Sequence, residues 1–354
     1  MTICSDMSEI KPSVRALTPV KFQKIFVISL PSRFDHRDSM SLAAAFSGLQ
    51  VEYVDGVTNV SRDLLPPGGK EKHLHDGGLG AWRAHMNVMR KIVEQNLASA
   101  FVLEDDVDWD IRVKSEMQDF AKASRLLLQP LPGTTDQFLD PSYPSPSPGQ
   151  KPQDFDITKE VTQLPSSSPY GDLDHWDFLW VGHCGTQFPR ASDKNTPLGR
   201  AIISNDETVP EPQHISDNQE VTKQYPAHTR VVSRAHGNVC TLAYGVSQAG
   251  ARRFLYELGV NKMDKATDIM FRSVCDGSNG RRQGRCLTVQ PQLFNHHRPV
   301  GSKSTFSDIQ NHGNEYNEVP YTRNVRWSTR VNFPKLVNGE TDYIDYSSRD
   351  FGPG

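Results

Sequence analysis

The sequence predicts an α/β fold in which a mainly parallel central sheet is flanked by helices, and three observations carry that prediction. Short apolar runs without polar alternation, KIFVISL at Lys24–Leu30 and FVL at Phe101–Leu103, read as strands buried on both faces. Segments with helical periodicity separate these runs, so strand, helix, strand, helix, strand is in place by residue 103. Such alternation gives parallel strands joined by right-handed crossovers.

Each element follows in order. Residues 1–22 are polar and Pro-punctuated and read as a flexible arm. After the first strand, Pro31-Ser32 ends the run, and Arg33, Asp35, His36, Arg37 and Asp38 open a helix with Met40, Leu42, Ala43 and Phe46 on its apolar side. Val51–Val54 gives a second strand, closed by the turn dipeptide Asp55-Gly56. From Leu79 to Asn96, Trp82, Met86, Met89 and Val93 recur at spacings of four, three and four, the mark of one apolar helical face. His85 lies beside that face, as a hydrogen-bonded core residue or a functional one. The strand ending at Leu103 follows, then a helix over Arg112–Leu128.

Residues 129–170 are rich in Pro, Ser, Asp and Gln and read as an insertion, loop or disordered, that buries too little apolar surface to order itself. Strand character resumes at His175–Gly185, and residues 186–228 are again irregular. Val239–Val246 reads as a strand, Ser247 as the N-cap of the helix QAGARRFLYELG, Asp264–Cys275 as a further helix and Leu287–Val289 as a short strand. A polar run, Pro291–Ser304, carries His296, His297, Arg298, Ser302 and Lys303. The organisation expected is a single domain over 23–310 and a loop-rich tail over 311–354.

Charge narrows the partners. A net charge of -3 and a pI near 6.5 offer no electrostatic case for nucleic acid. Five cysteines without a CxxC spacing argue against a thiolate zinc site. Cys184, Cys240, Cys275 and Cys286 fit either disulfides of an oxidising lumen or buried thiols. No stretch has the apolar length of a membrane span, and the first residues show no signal-peptide core. One sequon, Asn59-Val60-Ser61, is compatible with secretion.

The chemistry concentrates at FVLEDDVDWD, residues 101–110. Glu104, Asp105, Asp106 and Asp108 follow an apolar strand at once, and crowded carboxylates raise one another's pKa unless a cation or donors compensate. A solvated acidic turn is the plain alternative. Hard carboxylate oxygens suit Mg²⁺ or Mn²⁺ completed by substrate phosphates. Arg33 and Arg37, at a strand-to-helix turn where open α/β sheets bind ligands, suit a phosphate. With no Walker-type Gly-x-x-x-x-Gly-Lys-[Ser/Thr] loop, the expected diphosphate is the leaving group of an activated sugar.

KIFVISLPSRFDHRDSM, the VDG at Val54–Gly56, GGLGAWRAHMNVMRKIVEQNLASAFVLEDDVDW, DFLWVGHCG and LAYGVSQAGARRFL, in that order, resemble glycosyltransferase family 25, in a fungal-type form. The resemblance runs through most of residues 23–310. It implies a GT-A-like, Rossmann-type fold and an inverting, Mn²⁺-assisted (or Mg²⁺-assisted) transfer from a UDP-sugar, usually UDP-galactose, to a glycan or glycoprotein acceptor. The bacterial members make lipooligosaccharide, and others act on collagen in the Golgi or ER lumen; since this sequence shows no signal or anchor, a cytoplasmic location stays open. On a strand, residues i and i+2 share a face, so Glu104 and Asp106, with Asp108 if the chain stays extended, are the expected metal ligands, Asp106 foremost. Arg33, Arg37, Asp55, His85, Glu104, Asp105, His297 and Arg298 are the expected donor contacts. Asp268 is the expected base, Asp264 the alternative, because an inverting transfer needs a base within reach of the acceptor hydroxyl. Ser307-Asp308-Ile309 matches a short family signature. One departure stands out: where the family shows Gly-Glu-[Ile/Leu]-Gly-Cys, this chain has Gly77-Gly78-Leu79-Gly80-Ala81, without the acid. Two other readings stay open, a catalytically silent member that binds carbohydrate or protein, and a sugar nucleotidyltransferase, although LPSRFDHR lacks the glycine-rich loop the latter needs.

Overall fold

A computed structural model describes residues 22–193, 195–216 and 220–346; the arm expected over 1–22, with Cys4, lies outside the described residues but for Phe22, as do tail residues 347–354. In chain order the first part comprises β1 (Lys24–Ser29), α1 (Phe34–Phe46), β2 (Val51–Asp55), α2 (Asp76–Glu94), β3 (Ser99–Glu104), β4 (Val107–Trp109) and α3 (Val113–Leu128). Then come β5 (Asp154–Asp156), β6 (Phe178–Gly182), β7 (Arg200–Ile203), α4 (Val221–Gln224), β8 (Arg230–Arg234), β9 (Ala243–Ser247), α5 (Gln248–Tyr256) and α6 (Thr267–Asp276). The last are β10 (Cys286–Gln290), β11 (Phe294–Arg298), β12 (Gly301–Ser302), β13 (Tyr316–Asn317), β14 (Tyr321–Thr322) and α7 (Phe333–Val337).

The central sheet runs in the order β2-β1-β3-β9-β6-β10-β8-β7-β5. β1 is parallel to β2 and β3, β6 to β10 and β5 to β7, whereas β9 and β8 run against their neighbours on both sides. The sheet is therefore mainly parallel with two reversed strands, an α/β arrangement of the GT-A-like kind. Its two faces are filled by the period-two alternation of the strands. Val27 and Leu103 pack with Met40, Ala43, Met117 and Phe120 of α1 and α3. Phe26 and Val102 pack on the opposite side with Trp82, Met86 and Met89 of α2, Phe254 of α5 and Phe271 of α6.

Local signals set the helix starts. α2 begins three residues earlier than its apolar face implies, because the His75 ring caps it by accepting from the Gly78 N–H at 3.1 Å. Ser247 caps α5 as expected, its hydroxyl accepting from the Gly250 N–H at 3.0 Å. On α1, Met40 and Ala43 are buried, but Leu42 and Phe46 are exposed, so its apolar face is narrower than expected.

Three stretches without regular patterning turn out to be tied to the sheet. Residues 129–170 are mostly loop, yet they are not without order: Tyr170 is fully buried and stacks on Phe22 at 5.0 Å, and β5 pairs with β7. Asp140 accepts from the Gly199 N–H at 2.9 Å, and the Ser142 hydroxyl from the Leu198 N–H at 2.6 Å. Polar side chains thus replace apolar area as the anchor. The irregular region 186–228 holds β7, and the polar run after 291 holds β11. Two disulfides, Cys184–Cys240 and Cys275–Cys286, resolve the cysteine alternative in favour of pairing. Among the described residues, no helix is long and apolar enough to cross a membrane.

Candidate active site

The pairing register brings the C-terminal ends of three strands level, Ser29 beside Asp55 and Ile28 beside Glu104. β3 stops at Glu104, and Asp105-Asp106 form a tight turn into β4, which pairs antiparallel with β11, placing His296 opposite Val107. Glu104 and Asp106 converge through this turn rather than through strand alternation. With His296 they offer two carboxylates and an imidazole whose ligand atoms all lie within 4.8 Å of one another.

Each acid has its own surroundings. Glu104 accepts from the Thr241 hydroxyl at 2.7 Å and faces His85 Nε2 at 3.2 Å, while His85 Nδ1 meets the Tyr244 hydroxyl at 2.8 Å. His85 is buried, so it braces Glu104 from below. Asp106 takes the Arg298 guanidinium at 3.3 Å and lies 3.6 Å from His296 Nε2. Burial works to raise the Asp106 carboxyl, but the surrounding His296, Arg298, His36 and Arg330 outweigh it and hold it below the usual carboxylate range. Asp105 turns the other way, to His36 Nδ1 at 2.9 Å.

Asp108 stands apart from the trio. β4 directs it into the protein, where it is fully buried and accepts from the Thr322 hydroxyl at 2.7 Å, from the Ser328 hydroxyl and from the Arg330 N–H at 3.2 Å. Burial pushes its carboxyl up, against the pull of Arg330 and these hydroxyls. The Arg330 guanidinium also donates to the Asp105 carbonyl at 2.8 Å, so the stretch after residue 311 holds the acidic turn from behind.

The same alternation sorts β11. His296 and Arg298 point to Asp106, whereas His297 points inward to the Thr322 hydroxyl at 3.0 Å, and burial, helped by Arg330 and Arg298, holds its pKa well below that of an ordinary histidine. The imidazole of the cluster is therefore His296, which the resemblance to the family does not single out. Its place two residues before Arg298 was the available signal.

The expected arginines are already engaged. Arg33 pairs with Asp35 at 2.8 Å and Asp308 at 2.6 Å and donates to the Thr305 carbonyl, which ties the β1 turn to the Ser307-Asp308-Ile309 signature. Arg37 bonds Asp55 at 2.5 Å and the Ser29 carbonyl at 3.0 Å. Asp268, in the first turn of α6, is half-buried and accepts from the Cys240 N–H at 2.9 Å. Asp264 is instead committed to Arg281 at 3.2 Å and Lys262 at 3.1 Å; burial works to raise its carboxyl, but these partners lower it, which leaves it a poor proton acceptor.

Residues 22–140, which carry β1 through α3 and the acidic turn, match the family model of glycosyltransferase family 25 (LPS biosynthesis protein). This stretch resembles glycosyltransferase family 25. The inactive glycosyltransferase 25 family member 3 of Homo sapiens is 32% identical over 123 residues, 30% of this chain and 20% of its own length. Procollagen galactosyltransferase 1-A of Xenopus laevis is 32% identical over 114 residues, 28% of this chain and 18% of its own. Procollagen galactosyltransferase 2 of Mus musculus is 26% identical over 119 residues, 29% of this chain and 19% of its own. The chain spans about a fifth of the length of the curated relatives it matches. Asp268, His296 and Arg298 fall outside the family match, and only the tertiary structure joins them to the acidic turn.

Proposed function

We propose that this chain transfers a sugar, with galactose the expected one, from a UDP-sugar to a hydroxyl group of a glycan or glycoprotein. The observation that carries the reading is the Glu104, Asp106 and His296 trio at the C-terminal end of a parallel strand, the edge where open α/β sheets bind ligands. Two carboxylates and an imidazole fit Mn²⁺, and the imidazole favours it over Mg²⁺, which prefers oxygen alone. Bound there, the cation would neutralise charge developing on the departing diphosphate. Arg298, 3.3 Å from Asp106, adds positive charge at the same place. Asp268 serves as the base that takes the acceptor hydroxyl's proton; Asp264 is spent in its ion pairs. The two disulfides favour an oxidising lumen of the secretory pathway.

The test is a panel of UDP-sugars, scored for binding and UDP release with and without Mn²⁺. Wild type should bind and turn over one donor in a Mn²⁺-dependent way, and Asp106→Ala should lose both while keeping its far-UV circular dichroism. Full activity in that variant refutes the metal assignment. A second reading, a silent member that binds carbohydrate or protein, draws on a relative named as inactive and on glycine at position 78. It predicts no UDP release with any donor.

A further inference from the structure

The Cys184–Cys240 disulfide lies at the junction of the candidate site's parts without supplying an expected ligand atom. Cys184 Sγ is 3.9 Å from His296 Nδ1. On the other side, the Cys240 N–H donates to Asp268 at 2.9 Å, and the next residue, Thr241, donates through its hydroxyl to Glu104 at 2.7 Å. One cystine therefore adjoins a member of the trio directly, a second through one neighbouring side chain, and the proposed base through its own backbone.

The backbone at Cys240 explains why a covalent tie matters. Its φ is +60°, in the left-handed region that a residue with a Cβ adopts only when its surroundings impose it. In that conformation the N–H faces Asp268 while the carbonyl accepts from Trp180 Nε1 at 2.9 Å. A relaxed Cys240 would turn its peptide groups away from both partners and carry Thr241 with it. Both cysteines are half-buried, whereas Cys275 and Cys286 of the other disulfide are 2% exposed and join α6 to β10 inside the core. A reductant in solution reaches the first disulfide more readily.

We infer that Cys184–Cys240 is a positioning element, holding Glu104, His296 and Asp268 in the arrangement that binds a divalent cation and an acceptor, and that its reduction disarms the site in a protein that remains folded. The inference rests on the metal reading above. A dithiol reductant supplies two electrons and two protons, the S–S bond becomes two thiols, and the reductant leaves as its own disulfide.

The experiment is a Mn²⁺ titration, read by the electron paramagnetic resonance signal of the free ion. It compares the oxidised protein, the protein after mild dithiothreitol treatment and removal of the reagent, the double variant Cys184→Ala/Cys240→Ala, and the control Cys275→Ala/Cys286→Ala. Loss of a support behind metal ligands weakens affinity by about 10–100-fold. That loss is expected in the reduced protein and the first double variant, with far-UV circular dichroism retained and affinity restored on reoxidation of the former; the control keeps wild-type affinity. If the first double variant does not fold, the reduced wild type gives the result alone. Unchanged affinity after reduction overturns the inference and leaves the metal reading standing. No Mn²⁺ binding by the oxidised protein overturns both.

Discussion

Replacing Asp108 by alanine separates the structural acid of the 104–108 run from the proposed ligands. The side chain is 0% exposed and accepts from Thr322, Ser328, the Arg330 N–H and its own neighbour, the Trp109 N–H at 2.8 Å. Its removal strands those donors and takes away the carboxylate whose charge acts most strongly on the buried Arg330 guanidinium. Breaking such a buried arrangement from one side costs about 3–5 kcal/mol. Unfolding entropy of about 2.1 cal/mol/K per residue over 354 residues amounts to roughly 0.7 kcal/mol/K. The melting temperature should therefore fall by about 4–7 °C. Asp106→Ala removes a carboxylate that is 14% exposed and makes fewer internal hydrogen bonds than Asp108, so it should shift melting less and abolish Mn²⁺ binding. Thermal melts by circular dichroism beside Mn²⁺ titrations decide the matter. If Asp108→Ala melts like wild type yet loses Mn²⁺ binding, the division of labour is wrong and Asp108 is a ligand.

Two further outcomes follow from buried groups. Arg230, fully buried, is shared by Glu116 at 3.0 Å and Asp206 at 2.7 Å, with Asp110 nearby; burial pushes the Glu116 carboxyl up to about 8 and Asp110 up to about 7, against the pull of Arg230. Unfolded carboxyls titrate near 4, so between that value and about 8 the folded state keeps protons the unfolded state has lost, and stability falls as pH rises through this window. Glu116→Gln should flatten the decline in melting temperature measured from about pH 5 to 8.5; a slope equal to wild type counts against Glu116 as its source. Gly80→Ala would set a Cβ 2.0 Å from the Val57 carbonyl oxygen, a backbone atom that cannot step aside, and should cost about 1–3 kcal/mol in a urea denaturation series. A midpoint unchanged from wild type would mean that the loop and α2 are not packed as closely as described.

How much was legible depended on whether a residue's role is local. Strands β1, β3, β6, β9 and β10 announced themselves as apolar runs because both their faces are covered. β11 did not, since FNHHR spends alternate positions on Asp106 and on Thr322, and a strand lining a polar site carries no apolar signature. Residues 129–170 looked unable to order themselves because composition counts apolar area and misses carboxylates and hydroxyls that bond distant backbone, as Asp140 does to Gly199. His85 read as either core or functional, and its bonds to Tyr244 and Glu104 show that position to be both buried and adjacent to the site.

By itself the sequence determined the α/β class, the leading strand-helix order and the acidic run at the end of β3, because these depend on hydrophobic period and adjacency. Tertiary structure alone decided which acids face together, since the turn at Asp105-Asp106 reverses the chain and directs Asp108 inward. It also decided that His296 rather than His297 completes the trio, and that Arg330 and the Cys184–Cys240 disulfide stand behind it. His296 lies 190 residues from Asp106 and Arg330 farther still, Cys184 and Cys240 are themselves 56 residues apart, and separations of that size leave no periodic trace in a single chain.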